Sequence, residues 1–191
     1  FVMDASRRSG HSNAYFTGFG KSKRVVLYDT LINQLSPEEI EAVLGHELGH
    51  YKHHHILKKM IFMVPLIFIL LFIVSFLIKF PGLYEGFGFL TGNEIPYKMM
   101  YIGLFLISLS FSRWGILFSP IVNFLSRKDE FQADTFSKKV CGNGDALCTA
   151  LIKLNKENLS EIQVPKIYSI FNYSHPPLLE RIAALKKQEG N

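Results

Sequence analysis

The chain has 191 residues, enough for one domain, and it contains no internal repeat. Only 19% of its residues are charged, below the roughly 25% of an ordinary soluble domain. The net charge of +5 comes from lysines and arginines that lie beside apolar segments, which favours a membrane interface over a nucleic-acid-binding surface.

The start of the chain and its cysteines set the context. Phe1 begins inside polar sequence with no signal-peptide pattern, so we expect the chain to be the C-terminal part of a longer protein. Cys141 and Cys148 form a short-spaced pair, for which we expect two reduced, buried thiols rather than a disulfide.

The first predicted elements are two short strands within residues 13–32, around a Gly-Lys-Ser-Lys turn. β-Branched and aromatic residues flanking such a turn are typical of a β-hairpin. The segment YFTGF, residues 15–19, is a candidate edge strand on which an extended peptide can pair by β-augmentation. A helix follows at Ser36, where Glu39 completes a capping box, and it should run to about Lys58.

Two apolar segments follow this helix. Met60–Ile78 has nineteen residues without a charge, long enough to cross a bilayer, with a buried core helix as the alternative. A Gly- and Pro-rich loop at 81–97 leads to a second apolar segment, Met99–Val122, which contains Arg113. We therefore predict a transmembrane helical hairpin.

The C-terminal part returns to polar, helical sequence. An amphipathic helix should follow residue 126 and stop at Gly142 and Gly144, a further helix should start at Asp145, and a terminal helix should follow the turn SHPP.

The predicted hairpin gives three parts: residues 1–59 with the β-hairpin and first helix, residues 60–122 with crossings at about 60–80 and 99–122, and residues 123–191. Lysines and arginines concentrate on the side that both ends of the hairpin share. By the positive-inside tendency, that side is predicted to face the cytoplasm.

The first helix carries the motif H-E-x-x-H at His46, Glu47 and His50. Positions i and i+4 lie one helical turn apart on the same face, so both imidazoles can bind one metal ion. Glu47 lies about 100° around the helix from His46, where it can reach a water on the metal. Ordinary surface histidines are the alternative interpretation.

A catalytic zinc site needs a third protein ligand and one open position. Position 56 is Ile56, so the scheme with a third histidine six residues after His50 fails. Glu130 is the best candidate for the third ligand, with Asp134 four residues on as an acceptor that orients a ligating imidazole. By spacing alone this second pair is a weak signal.

Six segments occur in the order seen in the zinc-dependent CAAX prenyl proteases: HSNAYFTGF, RVVLYDTLI, AVLGHELGHYK, SRKDEFQAD, ALIKLNKENL and YSHPPLLERIAAL. The chain resembles the C-terminal catalytic part of that family, over nearly everything except the two apolar segments and the loop between them. The resemblance implies a mainly α fold with a small β-hairpin or edge sheet. It also implies a zincin-like metallopeptidase core, with the transmembrane hairpin inserted between the H-E-x-x-H helix and the third-ligand helix.

The resemblance also implies roles for individual residues. Glu47 would be the general base, Asn13 and His175 would help to hold the substrate and the transition state, and one zinc ion would be bound by His46, His50 and Glu130. Asp134 and Arg181 would support the site. Each has a structural alternative: Asn13 as a strand-start residue, His175 as a turn residue, and Arg181 as a salt-bridged residue on a helix surface.

The implied activity is cleavage of peptide bonds by a membrane-bound zinc metalloendopeptidase. Its partners would be a peptide or protein substrate, lipidated or membrane-associated, and the lipid bilayer, with no nucleic acid. Eukaryotic members tend to carry a long charged insert before the H-E-x-x-H helix. This chain has only INQLSPEE between Leu31 and Ile40, which favours a bacterial-like member in the inner membrane over one in the endoplasmic reticulum.

Two rival functions stay open at this point. A quality-control membrane zinc protease of the HtpX type would share both metal-binding motifs. A non-enzymatic metal-binding or transport protein would leave Glu47 without a role, and a transport path calls for ligands inside the apolar segments. The remaining histidines, His53, His54 and His55, are predicted to be interfacial, with a metal entry route as the alternative.

Overall fold

The structure is a computed structural model that describes residues 1–7, 12–18, 22, 24–89, 99–112, 114–158, 161 and 164–187. Within these ranges the chain forms three short strands and nine α-helices. The predominance of helix with a small sheet is the predicted fold class.

The sheet has the strand order β1-β3-β2, with β1 at Val2–Met3, β2 at Ala14–Thr17 and β3 at Arg24–Tyr28. β2 and β3 pair antiparallel, which confirms the predicted hairpin. The predicted turn at residues 20–23 lies largely outside the described residues, as does Phe19 of the candidate edge strand. β1, which pairs parallel with β3, was not predicted.

The second predicted strand is too long, because helix α1 at Asp29–Gln34 begins directly after β3. The Asp29 carboxylate accepts hydrogen bonds from the backbone amides of Ala5, Ser6 and Thr30 at 2.9, 3.1 and 2.9 Å. Asp29 is the first residue of α1, where a negative charge interacts favourably with the helix dipole, so it favours a helix start over extended strand.

Helix α2, Pro37–Lys52, has the predicted capping box. The Ser36 hydroxyl accepts from the Glu39 amide at 3.3 Å, and the Glu39 carboxylate accepts from the Ser36 amide at 2.8 Å. The prediction that this helix continues to Lys58 is wrong. The chain turns at residues 53–54, where His54 has a φ of 54°, and helix α3 then begins at His55.

Helix α3, His55–Leu77, contains an 18-residue stretch with a mean hydropathy of 3.0, and no residue of that stretch is buried. Among the described residues it is the one continuous helix long and apolar enough to cross a membrane. Helix α5, Met100–Phe111, and helix α6, Gly115–Cys141, are long and apolar enough only when taken together, as one span bent by 65°. The loop predicted at 81–97 begins with a short helix, α4, at Pro81–Gly86.

The second apolar segment is interrupted rather than continuous. Its break falls at residues 112–114, of which Arg113 is outside the described part of the chain. The Ser112 hydroxyl donates to the Leu109 carbonyl at 3.1 Å, and Gly115 follows. Serine side chains that compete for backbone groups and glycine both weaken a helix.

The C-terminal helices are α7 at Asp145–Glu157, α8 at Lys166–Asn172 and α9 at Leu178–Lys187. The end of α6 before Gly142 and the start of α7 are as predicted, whereas α8 was not predicted. Gly142 has a φ of 84°, the left-handed conformation that glycine adopts after a helix. In the described part of the chain, Cys141 and Cys148 are thiols rather than a disulfide; Cys148 is buried as predicted, whereas Cys141 is only half-buried.

The chain divides into two compact units, Phe1–Ile56 with Ser119–Asn191 and Leu57–Phe118. The core of the first unit consists of two apolar clusters. One joins α1, α2 and α7 through Leu31, Val43 and Ala150. The other joins α2 to α7 and α9 through Ala42, Leu147 and Leu185.

Candidate metal centre and active site

Glycines in α2 let α6 approach closely. A Cβ atom added at Gly49 would lie 2.8 Å from the Ala133 Cα, and one at Gly45 would lie 3.2 Å from the Ser137 Cα. The Ser137 hydroxyl also donates to the Ala42 carbonyl at 2.6 Å. The two glycines of GHELGH therefore allow the backbone contact that brings the third-ligand helix to the histidine pair.

The three predicted metal ligands converge at this contact. His46 Nε2 lies 3.1 Å from His50 Nε2 and 3.5 Å from Glu130 Oε2. His50 Nε2 lies 3.3 Å from Glu130 Oε1. Among the described residues, these three form the cluster able to hold a metal ion.

The spacing of the donor atoms fits zinc. Ligand atoms about 2.0–2.2 Å from a tetrahedral zinc ion are separated from one another by about 3.4 Å. The observed separations of 3.1 to 3.5 Å bracket that value. Two imidazole nitrogens and one carboxylate are also a ligand set that catalytic zinc uses, with a fourth position left open.

A buried ion pair orients His46. Its Nδ1 lies 2.8 Å from Asp134 Oδ1, and Arg181 holds the same carboxylate through Nε and Nη2 at 2.8 and 2.5 Å. The His46 Nδ1–H therefore donates to Asp134 and leaves the Nε2 lone pair for a metal. Arg181 Nη2 also lies 3.4 Å from His46 Nδ1, but two donors cannot bond each other, so the shorter Asp134 contact decides the tautomer.

Burial of this pair is nearly complete, with Asp134 2% and Arg181 9% exposed. Arg181 is thus not the surface residue of the alternative interpretation. Burial raises the pKa of Asp134, but hydrogen bonds from Arg181 and His46 outweigh it and lower that pKa below its ordinary value. The carboxylate is therefore charged whenever the site is folded near neutral pH.

A second hydrogen-bonded chain, which the sequence analysis did not predict, orients the His50 ring. His50 Nδ1 lies 2.9 Å from His55 Nδ1, and His55 Nε2 lies 3.1 Å from Gln132 Oε1. If His55 donates its Nε2–H to Gln132, its Nδ1 accepts from His50 Nδ1–H, and the His50 Nε2 lone pair faces the metal position.

The prediction that His55 is interfacial is wrong, since it is 1% exposed. On an unbroken helix, a residue five positions after His50 points about 140° away. The turn at residues 53–54 redirects it, and no periodicity signal marks that turn. His53 is half-buried and stacks on His55 with ring centroids 5.6 Å apart, whereas His54 is exposed.

Glu47 is half-buried beside the metal ligands. Burial is the largest influence on its carboxyl and raises its pKa above the ordinary value, although the charges of His46 and His50 oppose this. A raised pKa suits a proton acceptor that must release the proton again. A cation bound by the neighbouring residues would instead lower the pKa of Glu47.

Glu130 has the electrostatics of a metal ligand. Burial raises the pKa of its carboxyl, but the hydrogen bond that a protonated His50 donates and the positive charges of protonated His46 and His175 prevail and lower it to about 2. A metal cation bound in place of those protons acts on the carboxyl in the same direction. The carboxylate is 4% exposed and stays ionised, as metal binding requires.

The candidate metal ligands and Glu47 line a cavity of about 350 Å³. Asn13 and His175 line the same cavity. His175 Nε2 lies 3.5 Å from Glu130 Oε1, on a side chain that is 68% exposed. The Asn13 carbonyl accepts from the Tyr28 amide at 3.0 Å, which anchors it beside β3. Apolar residues of the lining include Leu31, Val43, Leu147, Leu151 and Leu154.

The H-E-x-x-H helix, the candidate third ligand on α6 and the small sheet define a zincin-like metallopeptidase core. The sequence matches the model of peptidase family M48 over residues 1–189. The chain belongs to peptidase family M48.

The resemblance predicted from the six motifs is confirmed by individual relatives. The chain is 43% identical to a CAAX prenyl protease 1 homolog of Oryza sativa subsp. japonica over 191 residues, covering 100% of this chain and 43% of the relative. It is 40% identical to CAAX prenyl protease 1 of Saccharomyces cerevisiae, covering 97% and 43%. It is 38% identical to the Homo sapiens homolog, covering 97% and 46%.

A solved structure shows the same fold. The crystal structure of S. mikatae Ste24p matches with a TM-score of 0.80 at 40% identity, over 97% of this chain and 44% of that chain. The chain therefore spans less than half the length of the relatives it matches.

Proposed function

We propose that the protein containing this chain is a membrane-bound zinc metalloendopeptidase of the CAAX prenyl protease type, with one zinc ion per chain. The observation that carries the proposal is the cluster of buried His46 and Glu130 with half-buried His50, and Glu47 lining the same cavity. Such a ligand set with an adjacent carboxylate is the arrangement of zinc peptidases.

Different residues of the chain have different roles in amide hydrolysis. A zinc ion held by His46, His50 and Glu130 would supply Lewis acidity and an activated water. Glu47 accepts the proton of the attacking water and delivers it to the leaving nitrogen. His175, exposed at the cavity edge, donates a hydrogen bond to the oxygen on which negative charge develops.

The substrate backbone is proposed to pair with β2. Among the described strands, β2 pairs with β3 alone and lies at the end of the sheet. The strand begins at Ala14, and both Asn13 and Ala14 line the cavity that contains Glu47. An extended peptide added to this edge is led toward the metal ligands, with Asn13 holding its backbone.

The substrate class we propose is a lipidated or membrane-associated peptide or protein, with the metal site on the cytoplasmic side. The apolar helix α3 begins five residues after His50, so the site lies close to a bilayer that this helix enters. A bacterial rather than an endoplasmic reticulum location stays a prediction; the relatives named above are plant, yeast and human. These relatives are CAAX prenyl proteases and do not favour the HtpX-type alternative.

The test uses the full-length protein and Glu47→Gln, with Glu41→Gln as the matched control. Glu41 is exposed on the same helix. We expect Glu47→Gln to retain one zinc per chain and lose cleavage of a farnesylated CAAX peptide by at least about 100-fold, the scale of a lost general base. Zinc binding by all three proteins without cleavage of lipidated or unlipidated peptides would contradict the proposal.

A further inference from the structure

A second, larger cavity of about 980 Å³ lies away from the metal ligands. Along α6, Lys128 and Lys139 lie about 160° and 180° around the helix from Glu130. Glu130 is buried, whereas Lys128 and Lys139 are exposed. The groove, as we name this cavity, is thus separate from the proposed catalytic site.

The charge of the groove is strongly positive. Its lining includes the cations Lys52, Arg127, Lys128 and Lys139, against the single carboxylate of Glu180. Arg127 is held in place because its Nη1 donates to the Ser169 carbonyl at 3.3 Å. The groove therefore has the electrostatics of an anion-binding site.

The lining of the groove is partly aromatic. Phe124, Phe131 and Phe136 line it, and Phe124 is 63% exposed. The Lys52 ammonium lies 6.0 Å from the centroid of the Phe136 ring. Phenyl rings directly beside lysines suit a ligand that is both anionic and apolar.

The groove also lies where apolar helix meets polar sequence. Lys52 immediately precedes the turn before α3, and Phe124 and Lys128 follow the end of the apolar sequence at Val122 by two and six residues on α6. At about 1.5 Å per residue, these two side chains emerge about 3 and 9 Å beyond Val122. For a bilayer boundary at Val122, Phe124 lies within the headgroup region, which is about 5–7 Å thick on each side. Lys128 lies just beyond it, from where a long lysine side chain reaches back to the headgroups.

We propose that this groove binds one anionic phospholipid of the surrounding bilayer. The lysines and Arg127 contact the phosphate and headgroup, and the phenylalanines contact the upper part of an acyl chain. A zwitterionic lipid brings a cationic group that these side chains repel, so the site selects for net negative charge. The three phenylalanines of the lining and the position of the groove residues next to apolar sequence favour a lipid over an acidic peptide.

The experiment measures lipid binding by the full-length protein in detergent, by native mass spectrometry with dioleoylphosphatidylglycerol and dioleoylphosphatidylcholine. The test variant is Lys128→Gln/Lys139→Gln. The control, Lys156→Gln/Lys187→Gln, removes the same charge from exposed positions on α7 and α9. Zinc content and thermal unfolding of both variants establish that they are folded.

We expect the wild type and the control to bind phosphatidylglycerol at least about tenfold more tightly than phosphatidylcholine. The test variant should bind phosphatidylglycerol roughly 30-fold more weakly, the fold-change that about 1 kcal/mol per lysine represents. Lipid binding needs no catalysis, so this result is independent of the proposed peptidase activity.

Three outcomes would overturn the proposal. The first is equal affinity for the two lipids, and the second is equal weakening in the test and control variants. The third is displacement of the lipid by glycerol phosphate or polyglutamate at comparable concentrations, which would assign the groove to free phosphate or to an acidic peptide.

Discussion

Gly49 offers the sharpest test of how the metal centre is assembled, because it separates α2 from the backbone of α6. In Gly49→Ala, the new Cβ would lie 2.8 Å from the Ala133 Cα and 3.1 Å from the Ala133 carbonyl oxygen. Both are backbone atoms, so no side-chain rotation can relieve the contact. The third-ligand helix itself must move.

The size of the movement follows from ordinary contact distances. Carbon atoms pack at about 3.5–4.0 Å, so α6 must shift by about 0.7–1.2 Å near Ala133. Glu130 lies one helical turn from this contact, and metal–ligand distances tolerate only about 0.2 Å. We expect zinc affinity to fall by about 10–100-fold, the scale seen when ligand support is disturbed.

The stability of the fold should change less than metal binding. Overpacking costs about 1–3 kcal/mol, and the higher helix propensity of alanine offsets about 1 kcal/mol of this. The matched control is Gly115→Ala, in α6, where a Cβ meets nothing within 4 Å. Zinc affinity would be measured by chelator competition on the full-length protein. An affinity within a factor of about two of wild type in Gly49→Ala would refute the reasoning, since ligand geometry is this sensitive.

Three further predictions concern other parts of the site. His55→Leu removes the acceptor for His50 Nδ1–H, and we expect zinc affinity to fall at least about tenfold in chelator competition; an unchanged affinity would show that His50 is oriented otherwise. His54→Val should be less stable than His54→Gly by about 1–2 kcal/mol in thermal unfolding, because His54 has a φ of 54° and a β-branched residue is strained there; equal stability would contradict this. Burial raises the pKa of Glu39, but hydrogen bonds from Lys153 and the Ser36 amide outweigh it, and the net pKa lies below the ordinary 4.5. A lowered pKa in the folded state adds to the free energy of unfolding above pH 4.5, and this contribution is lost as the pH falls through the lowered pKa. Lys153→Met should therefore be less stable than wild type near pH 7, and the difference between the two proteins should shrink below pH 4.5. A difference independent of pH would count against the ion pair.

Local sequence determined the elements whose cause is local. The capping box of Ser36 and Glu39 needs only neighbouring residues, and it starts α2 where the pattern predicts. The four-residue spacing of His46 and His50 places both on one face of that helix whatever surrounds it. Gly142 ends α6 because its own backbone freedom allows a left-handed conformation.

Tertiary structure decided the features that join elements distant in sequence. Spacing made Glu130 only a candidate, and its approach to His50 depends on the contact of Gly49 with Ala133. His55 reaches His50 because the helix breaks at two histidines that carry no breaking signal of their own. Periodicity reports which residues share a face of one element, but the partners of a buried polar group are set by packing between elements. For that reason the sequence by itself predicted the residues of the candidate metal centre, and the three-dimensional packing determined which side chains contact them.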